Sequence, residues 1–175
     1  MKPLRDLMTP PSHIVGRIER IVVRGAPRAS AREIERTEAR AGIGLAHDRL
    51  GQRGEAELST RQVTLIQAEH LPVIAQLARV AAVDPLRLRR NLVISGLNLV
   101  ALKNQRLRVE IEGQPGALLE IVGPCQPCSR MEEEIGPGGY AAMRGHGGMT
   151  ARVLEGGTVA AGAVLRVEPV PPRGP

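Results

Sequence analysis

The sequence predicts a mainly β (α+β) fold, a compact β-barrel with helical insertions. Short β-rich runs recur at irregular spacing, glycine turns separate them, and helical periodicity is scarce. Aromatic residues are almost absent: Tyr140 is the only one, with no Phe or Trp, so the core has to be built from Val, Leu, Ile and Ala. The 175 residues suffice for one well-formed core. One domain is expected over residues 14–168, between an N-terminal tail (1–13) and a Pro-rich C-terminal tail (169–175).

The elements are read in order. Ile14 to Val23 is a strand, with Ile14, Ile18 and Val22 set among charged residues. Arg24 to Arg40 is densely charged and reads as a helix or an excursion, and Gly42 to Gly54 as a glycine-punctuated loop holding His47, Asp48 and Arg49. Gln62 to Ile66 is β-rich. An amphipathic helix follows from about Ala68 to Val80, with Leu71, Ile74, Ala75 and Ala78 at helical spacing. Asp84-Pro85 is an N-cap followed by proline at the first helical position, opening a short helix that carries Arg87, Arg89 and Arg90. Leu92 to Ser95, Arg106 to Ile111 and Ala117 to Val122 are strands. The last two flank Gly113-Gln-Pro-Gly116, a hairpin signal. Thr150 to Leu154 and Val164 to Val167 complete the set. There is no internal repeat, no GxGxxG and no Walker loop, and the strand–helix alternation of a doubly wound sheet is missing.

Charge and composition exclude several functions. The formal net charge of +6 suggests an anionic partner, although arginine-rich, lysine-poor usage equally fits a genomic bias. A non-catalytic module binding RNA or DNA is one reading. Without aromatic platforms, however, the chain has little means of stacking bases, so nucleic acid is not the expected partner. No run spans a bilayer and the N-terminus has no apolar segment of signal-peptide length, so a cytoplasmic protein with no membrane partner is expected.

The only two cysteines lie in Gly123-Pro-Cys-Gln-Pro-Cys-Ser-Arg-Met-Glu-Glu133. A structural zinc site needs four N/S ligands, and the histidines (His13, His47, His70, His146) are scattered. Pro127 and the glycine-rich stretch after Glu134 fit a thioredoxin motif poorly, and nothing points to the secretion that a structural disulfide implies. Two buried, inert cysteines remain open as a reading. Ser129 and Glu132 have capping-box spacing, which starts a helix after Cys128 and sets its free N–H groups and Arg130 beside that sulfur. Cys128 is therefore the candidate for chemistry. Downstream, Gly136 to Gly148 is too glycine-rich for a regular element and reads as a loose connection. Alternatively it is a flap that carries Arg144 and His146 towards an anionic group, with His146 as proton donor.

Taken in order, five blocks resemble one family. They are Arg61-Gln-Val-Thr-Leu-Ile-Gln-Ala-Glu-His-Leu71, Arg89-Arg-Asn-Leu-Val-Ile-Ser-Gly96, Leu107-Arg-Val109, Pro124-Cys-Gln-Pro-Cys128, and Gly145-His-Gly-Gly-Met-Thr-Ala-Arg-Val-Leu-Glu-Gly-Gly157 with Gly162. Together they resemble a MOSC domain of the small stand-alone bacterial type, over roughly Ile14 to Val167. The module is otherwise known at the C-terminus of molybdenum-cofactor sulfurases and in amidoxime-reducing enzymes.

The resemblance implies a mainly β barrel that binds the molybdenum cofactor (molybdopterin), with Cys128 as metal ligand or sulfur carrier. With it go cofactor contacts from Arg61, Arg89, Arg90, Asn91 and Ser95 and catalytic roles for Cys128 and Asp48, to which the flap reading adds Arg144 as a cofactor contact and His146 as a catalytic residue. A guanidinium fork matches the dianionic phosphate of such a cofactor. The implied activity is reduction of N-hydroxylated small molecules, with an electron-donor protein as partner. The alternative is a persulfide carrier served by a cysteine desulfurase in trans, where Cys125 would release sulfur by thiol exchange. Two departures stand out. Where the family often shows Gly-Asp-Arg, this chain has His47-Asp48-Arg49, and neither a pyridoxal-phosphate domain nor the additional β-domain of the amidoxime reductases is expected in it.

Overall fold

The structure, a computed structural model, describes residues 7, 10, 11, 13–26, 29–49, 59–168 and 170. Most of the two expected tails, and Leu50 to Gly54 of the expected loop, lie outside these residues. The elements run β1 (Gly16–Val23), β2 (Arg32–Ile34), β3 (Arg36–Arg40), β4 (Gly44–Leu45), β5 (Val63–Gln67), α1 (His70–Ala78) and α2 (Pro85–Leu88). After β6 (Leu92–Ser95) and a 3-10 turn (Leu99–Leu102) come β7 (Arg106–Ile111), β8 (Gln114–Pro124), α3 (Arg130–Ile135) and α4 (Gly139–Met143). Strands β9 (Met149–Glu155), β10 (Gly157–Ala160) and β11 (Val164–Glu168) follow.

Strands β11, β7, β8, β9, β5, β6 and β1 pair in that order, and β1 pairs back onto β11, so the sheet closes into a barrel. Among the described residues only β5 and β6 pair in parallel, joined across α1 and α2. Strand β2 extends from β1, and β10, β3 and β4 form a second small sheet. The interior is filled by aliphatic side chains, including Ile18, Leu65, Leu92, Ile94, Leu107, Leu119, Ile121 and Leu165, all fully buried. Because side chains alternate along a strand, Ile66 and Val93 point the other way. There they pack with Ile74, Leu88, Met131 and Met143 beneath the helices. The four helices therefore cover the outside of β5 and β6, and the cysteine segment lies in that cover.

Several sequence expectations need correction. Arg24–Arg40 is not helical where described: Arg36–Arg40 is a strand whose Thr37 and Ala39 are buried while its charged residues stay exposed. The hairpin between β7 and β8 turns at Glu112-Gly113, with φ of 52° and 77°. Both values suit the left-handed pair of a tight hairpin turn, and Gln114 to Gly116 already belong to β8. Gly136 to Gly148 does hold a regular element, α4, and buries Gly139, Ala142, Met143 and Gly147. Gly148 sits at φ +90°, where a Cβ would lie 1.9 Å from the Leu65 carbonyl oxygen, so the glycines here serve close packing. No helix among the described residues is long and apolar enough to cross a membrane.

Candidate functional site

The cysteine segment leaves the barrel at the end of β8. The Cys125 N–H donates to the Gly148 carbonyl at 2.9 Å. Its own carbonyl accepts from Arg90 Nη2 at 3.4 Å, while Arg90 Nε donates to Gly147 O at 2.7 Å and Nη1 to Leu88 O at 3.0 Å. Arg90 is buried, and its guanidinium joins three backbone carbonyls that come from α2, the cysteine segment and the run into β9. It holds the site together from behind. Asn91 is similarly committed: its Oδ1 accepts from the N–H (3.0 Å) and hydroxyl (2.9 Å) of Thr64, and its Nδ2 donates to Val22 O at 3.2 Å. Arg90 is thus committed to backbone carbonyls and Asn91 to Thr64 and the Val22 carbonyl.

The two thiols differ. Cys125 is partly buried, and burial pushes its pKa up against the opposing charges of Arg90 and Arg61. Cys128 is exposed, and α3 starts two residues later, as expected. The capping box does not form. Ser129 already has helical angles and its hydroxyl caps nothing, while the Glu132 carboxylate accepts from the N–H groups of Gly138 (2.7 Å) and Tyr140 (2.9 Å). Unpaired amides at the entry to α4 are the stronger attraction for that carboxylate.

Arg130, two residues after Cys128, helps to wall an arginine-rich cleft. Its outer lobe, about 300 Å3, is lined by Arg24, Arg87, Arg89, Arg130, Glu134 and the Ala29–Ala31 segment. Its inner lobe, about 150 Å3, shares Arg24 and Arg89 and adds Asp48, Arg49, Thr64 and Asn91. The strand order explains the convergence: the end of β1 meets the starts of β5 and β6 here. Asp48 and Arg49 fix Arg24 by its backbone, the Arg24 N–H donating to Asp48 Oδ1 at 2.9 Å and the Arg49 N–H to Arg24 O at 2.7 Å. Asp48 therefore acts as a positioning residue. His47, where the family often has glycine, sets its Nδ1 2.8 Å from the Thr37 hydroxyl.

Arg24 Nη1 is buried and has no hydrogen-bond partner among the described residues. Burial, and then the charge of Arg89, lower the Arg24 pKa, with Arg49 and Arg130 adding to the effect and Asp48 opposing it. A guanidinium remains charged even so. A partly buried guanidinium with an unsatisfied Nη1 among other cations favours an anion, a role that a phosphate fills well. These arginines thus fit the phosphate of the cofactor that the resemblance implies.

Other expected site residues are dispersed. Arg61 is exposed and close enough to influence the Cys125 thiol. The Ser95 hydroxyl bonds to Glu19 at the end of β6 remote from Asn91, so the structure does not bring it to the cleft. Arg144 is exposed at the end of α4. The His146 ring stands edge-on to His70, with centroids 5.2 Å apart, and both Nδ1 atoms are buried without a hydrogen bond among the described residues. Arg24, Arg87 and Glu134 were not among the expected residues. Nothing local singles out Arg24, whose setting comes from pairing with a segment more than twenty residues away.

A family model described as the MOSC domain matches residues 31–166. Among solved structures, the chain is similar to the YuaD protein from Bacillus subtilis, with a TM-score of 0.74 at 18% identity, covering 87% of this chain and 95% of that one. It is also similar to YiiM from Geobacillus stearothermophilus (TM-score 0.67, 17% identity, 88% and 75% covered) and YiiM from Escherichia coli (0.59, 20%, 88% and 70%). At these identities the likeness speaks for the fold. No curated protein matches the sequence significantly.

Proposed function

Starting from a chain that belongs to the MOSC domain family, we propose that it binds the molybdenum cofactor in the arginine cleft, with Cys128 as protein ligand to the metal, and reduces N-hydroxylated bases or amidoximes. The observation that carries this reading is the buried, unpartnered Nη1 of Arg24 in a cleft walled by Arg49, Arg89 and Arg130. When bound, such a cofactor supplies two-electron removal of an oxygen atom, with an external protein returning the electrons.

The chain's own residues divide the remaining work. Arg24 and Arg89, shared by both lobes, hold the phosphate, and Arg49 and Arg130 add charge from either side. Asp48 keeps Arg24 oriented. Arg90 fixes the Cys125 backbone and so the approach of the chain to Cys128. The exposed Cys128 sulfur is the soft donor, since thiolates favour soft metal centres. The test is turnover: protein loaded with cofactor and supplied with an artificial reductant should convert benzamidoxime to benzamidine, and Cys128→Ser should not. Loaded wild-type protein with no such activity would remove the reductase assignment.

The exposure of Cys128 also favours a second reading, a persulfide received from a desulfurase. Release by attack of Cys125 is disfavoured, because burial keeps that thiol protonated and a thiol is a poor nucleophile. Intact mass after incubation with a desulfurase and cysteine distinguishes the two. A sulfur adduct lost in Cys128→Ser supports a carrier, and an unmodified mass excludes it.

A further inference from the structure

Glu134 occupies two arginines in the outer wall of the cleft. Its Oε2 accepts from Arg87 Nε at 3.1 Å and its Oε1 from Arg130 Nε at 3.1 Å. Arg87 belongs to α2 and Arg130 to α3, so one carboxylate bridges the helices along the cleft wall. The two arginine side chains are 57% and 44% exposed. Ion pairs so open to water contribute little to stability, so holding the fold together does not explain the arrangement. The Glu134 carboxylate is kept ionised below its ordinary range, chiefly by the hydrogen bond from Arg87. Five arginines line the two lobes against two carboxylates, Asp48 and Glu134, a net charge of three positive. Glu134 is hydrogen-bonded to two of these guanidinium groups, those of Arg87 and Arg130.

We propose that Glu134 sets the affinity and selectivity of the cleft, as an internal carboxylate that occupies Arg87 and Arg130 until an incoming phosphate takes them over. This rests on the cleft being the anion-binding half of the function proposed above. A dianionic phosphate with several acceptor oxygens displaces the carboxylate, and a monoanion such as chloride does not. On its other side Glu134 borders a cleft of about 330 Å3 that it shares with Arg20 and Arg87, which gives the released side chain room.

The experiment is calorimetric titration of the full chain, free of molybdenum, with inorganic phosphate. Four proteins are compared: wild type, Glu134→Gln, Glu133→Gln and Arg24→Met. Glu133 is exposed on the same helix and outside the cleft lining, so its substitution removes equal charge without freeing the arginines. Glu134→Gln should bind phosphate about three- to tenfold more tightly, the scale of losing one or two exposed ion pairs. It should also become sensitive to chloride, while Glu133→Gln leaves both properties unchanged and Arg24→Met abolishes binding. Glu134→Ala, with thermal melting of each variant, covers the case in which the glutamine variant folds poorly. Equal or weaker binding by Glu134→Gln overturns the proposal, since a weakened site would mean that the carboxylate orients the arginines. An equal gain in Glu133→Gln, or binding that persists in Arg24→Met, overturns it as well. If neither wild type nor Glu134→Gln binds phosphate, the anion cleft falls together with the proposal. Phosphate binding in a protein that never retains molybdenum leaves the role of Glu134 intact and removes only the cofactor assignment.

Discussion

Asp48 holds Arg24 by its backbone: the Oδ1 accepts the Arg24 N–H at 2.9 Å, and the next residue, Arg49, returns an N–H to the Arg24 carbonyl at 2.7 Å. The carboxylate is buried, and it opposes the lowering of the Arg24 pKa by the neighbouring arginines. One acid thus fixes the position of the guanidinium on which the anion reading depends.

Asp48→Ala should therefore act on stability and binding together. It leaves a buried N–H without its acceptor and a cluster of arginines without its counter-charge. A loss of about 1–3 kcal/mol is expected in urea unfolding. Phosphate affinity should fall as well, and a variant with unchanged affinity would show that Arg24 needs no such support.

The two cysteines should react at different rates. Cys128 is exposed, whereas Cys125 is partly buried with its pKa pushed up by that burial. Peptide mapping after limited alkylation at neutral pH should find Cys128 modified first. The sign for stability follows: folding favours the protonated Cys125 thiol, so its contribution is complete below the ordinary thiol pKa and declines as pH rises through the folded value. Faster modification of Cys125 would contradict the burial described.

Glu132 titrates in the opposite direction. Hydrogen bonds from the Tyr140 and then the Gly138 backbone hold its carboxyl below the ordinary range. Its support of the α3–α4 connection is therefore present above the ordinary carboxyl pKa and lost as pH falls through the lowered folded value. Hydrogen exchange of the Gly138 and Tyr140 amides should accelerate in Glu132→Gln at neutral pH, and unchanged protection would contradict the assignment.

Gly148→Ala should be severely destabilising. The substitution combines a left-handed φ with a Cβ placed 1.9 Å from the Leu65 carbonyl oxygen. A loss of about 4 kcal/mol or more is expected. Gly138→Ala is the comparison, because its φ of +87° carries the conformational cost but the space around it is open. Its loss should be near 1 kcal/mol, roughly the left-handed penalty alone. Equal losses in the two variants would refute the close-packing account of the segment.

What was legible in the sequence follows the range of the forces involved. Strands β6 and β7 have the bounds that their β-rich runs predict, since alternation and branching act locally. Asp84-Pro85 opens α2 as its spacing predicts, the carboxylate accepting from the Leu86 N–H. Strand β3 was hidden because its outward residues are all charged, and period-two burial of only Thr37 and Ala39 is a faint signal. Strand β10 was hidden by the glycines around it. The cysteine motif marked one end of the candidate site. The other end was not legible, because Arg24 resembles any other arginine until β1 closes against the Asp48 segment.

Molybdenum content measures the central claim most directly. Wild-type protein produced in a host that makes the cofactor should retain stoichiometric molybdenum by elemental mass spectrometry. Cys128→Ser and Arg24→Met should each lose it while remaining folded. Persistent absence of molybdenum from the wild-type protein, or its undiminished presence in both variants, would contradict the account.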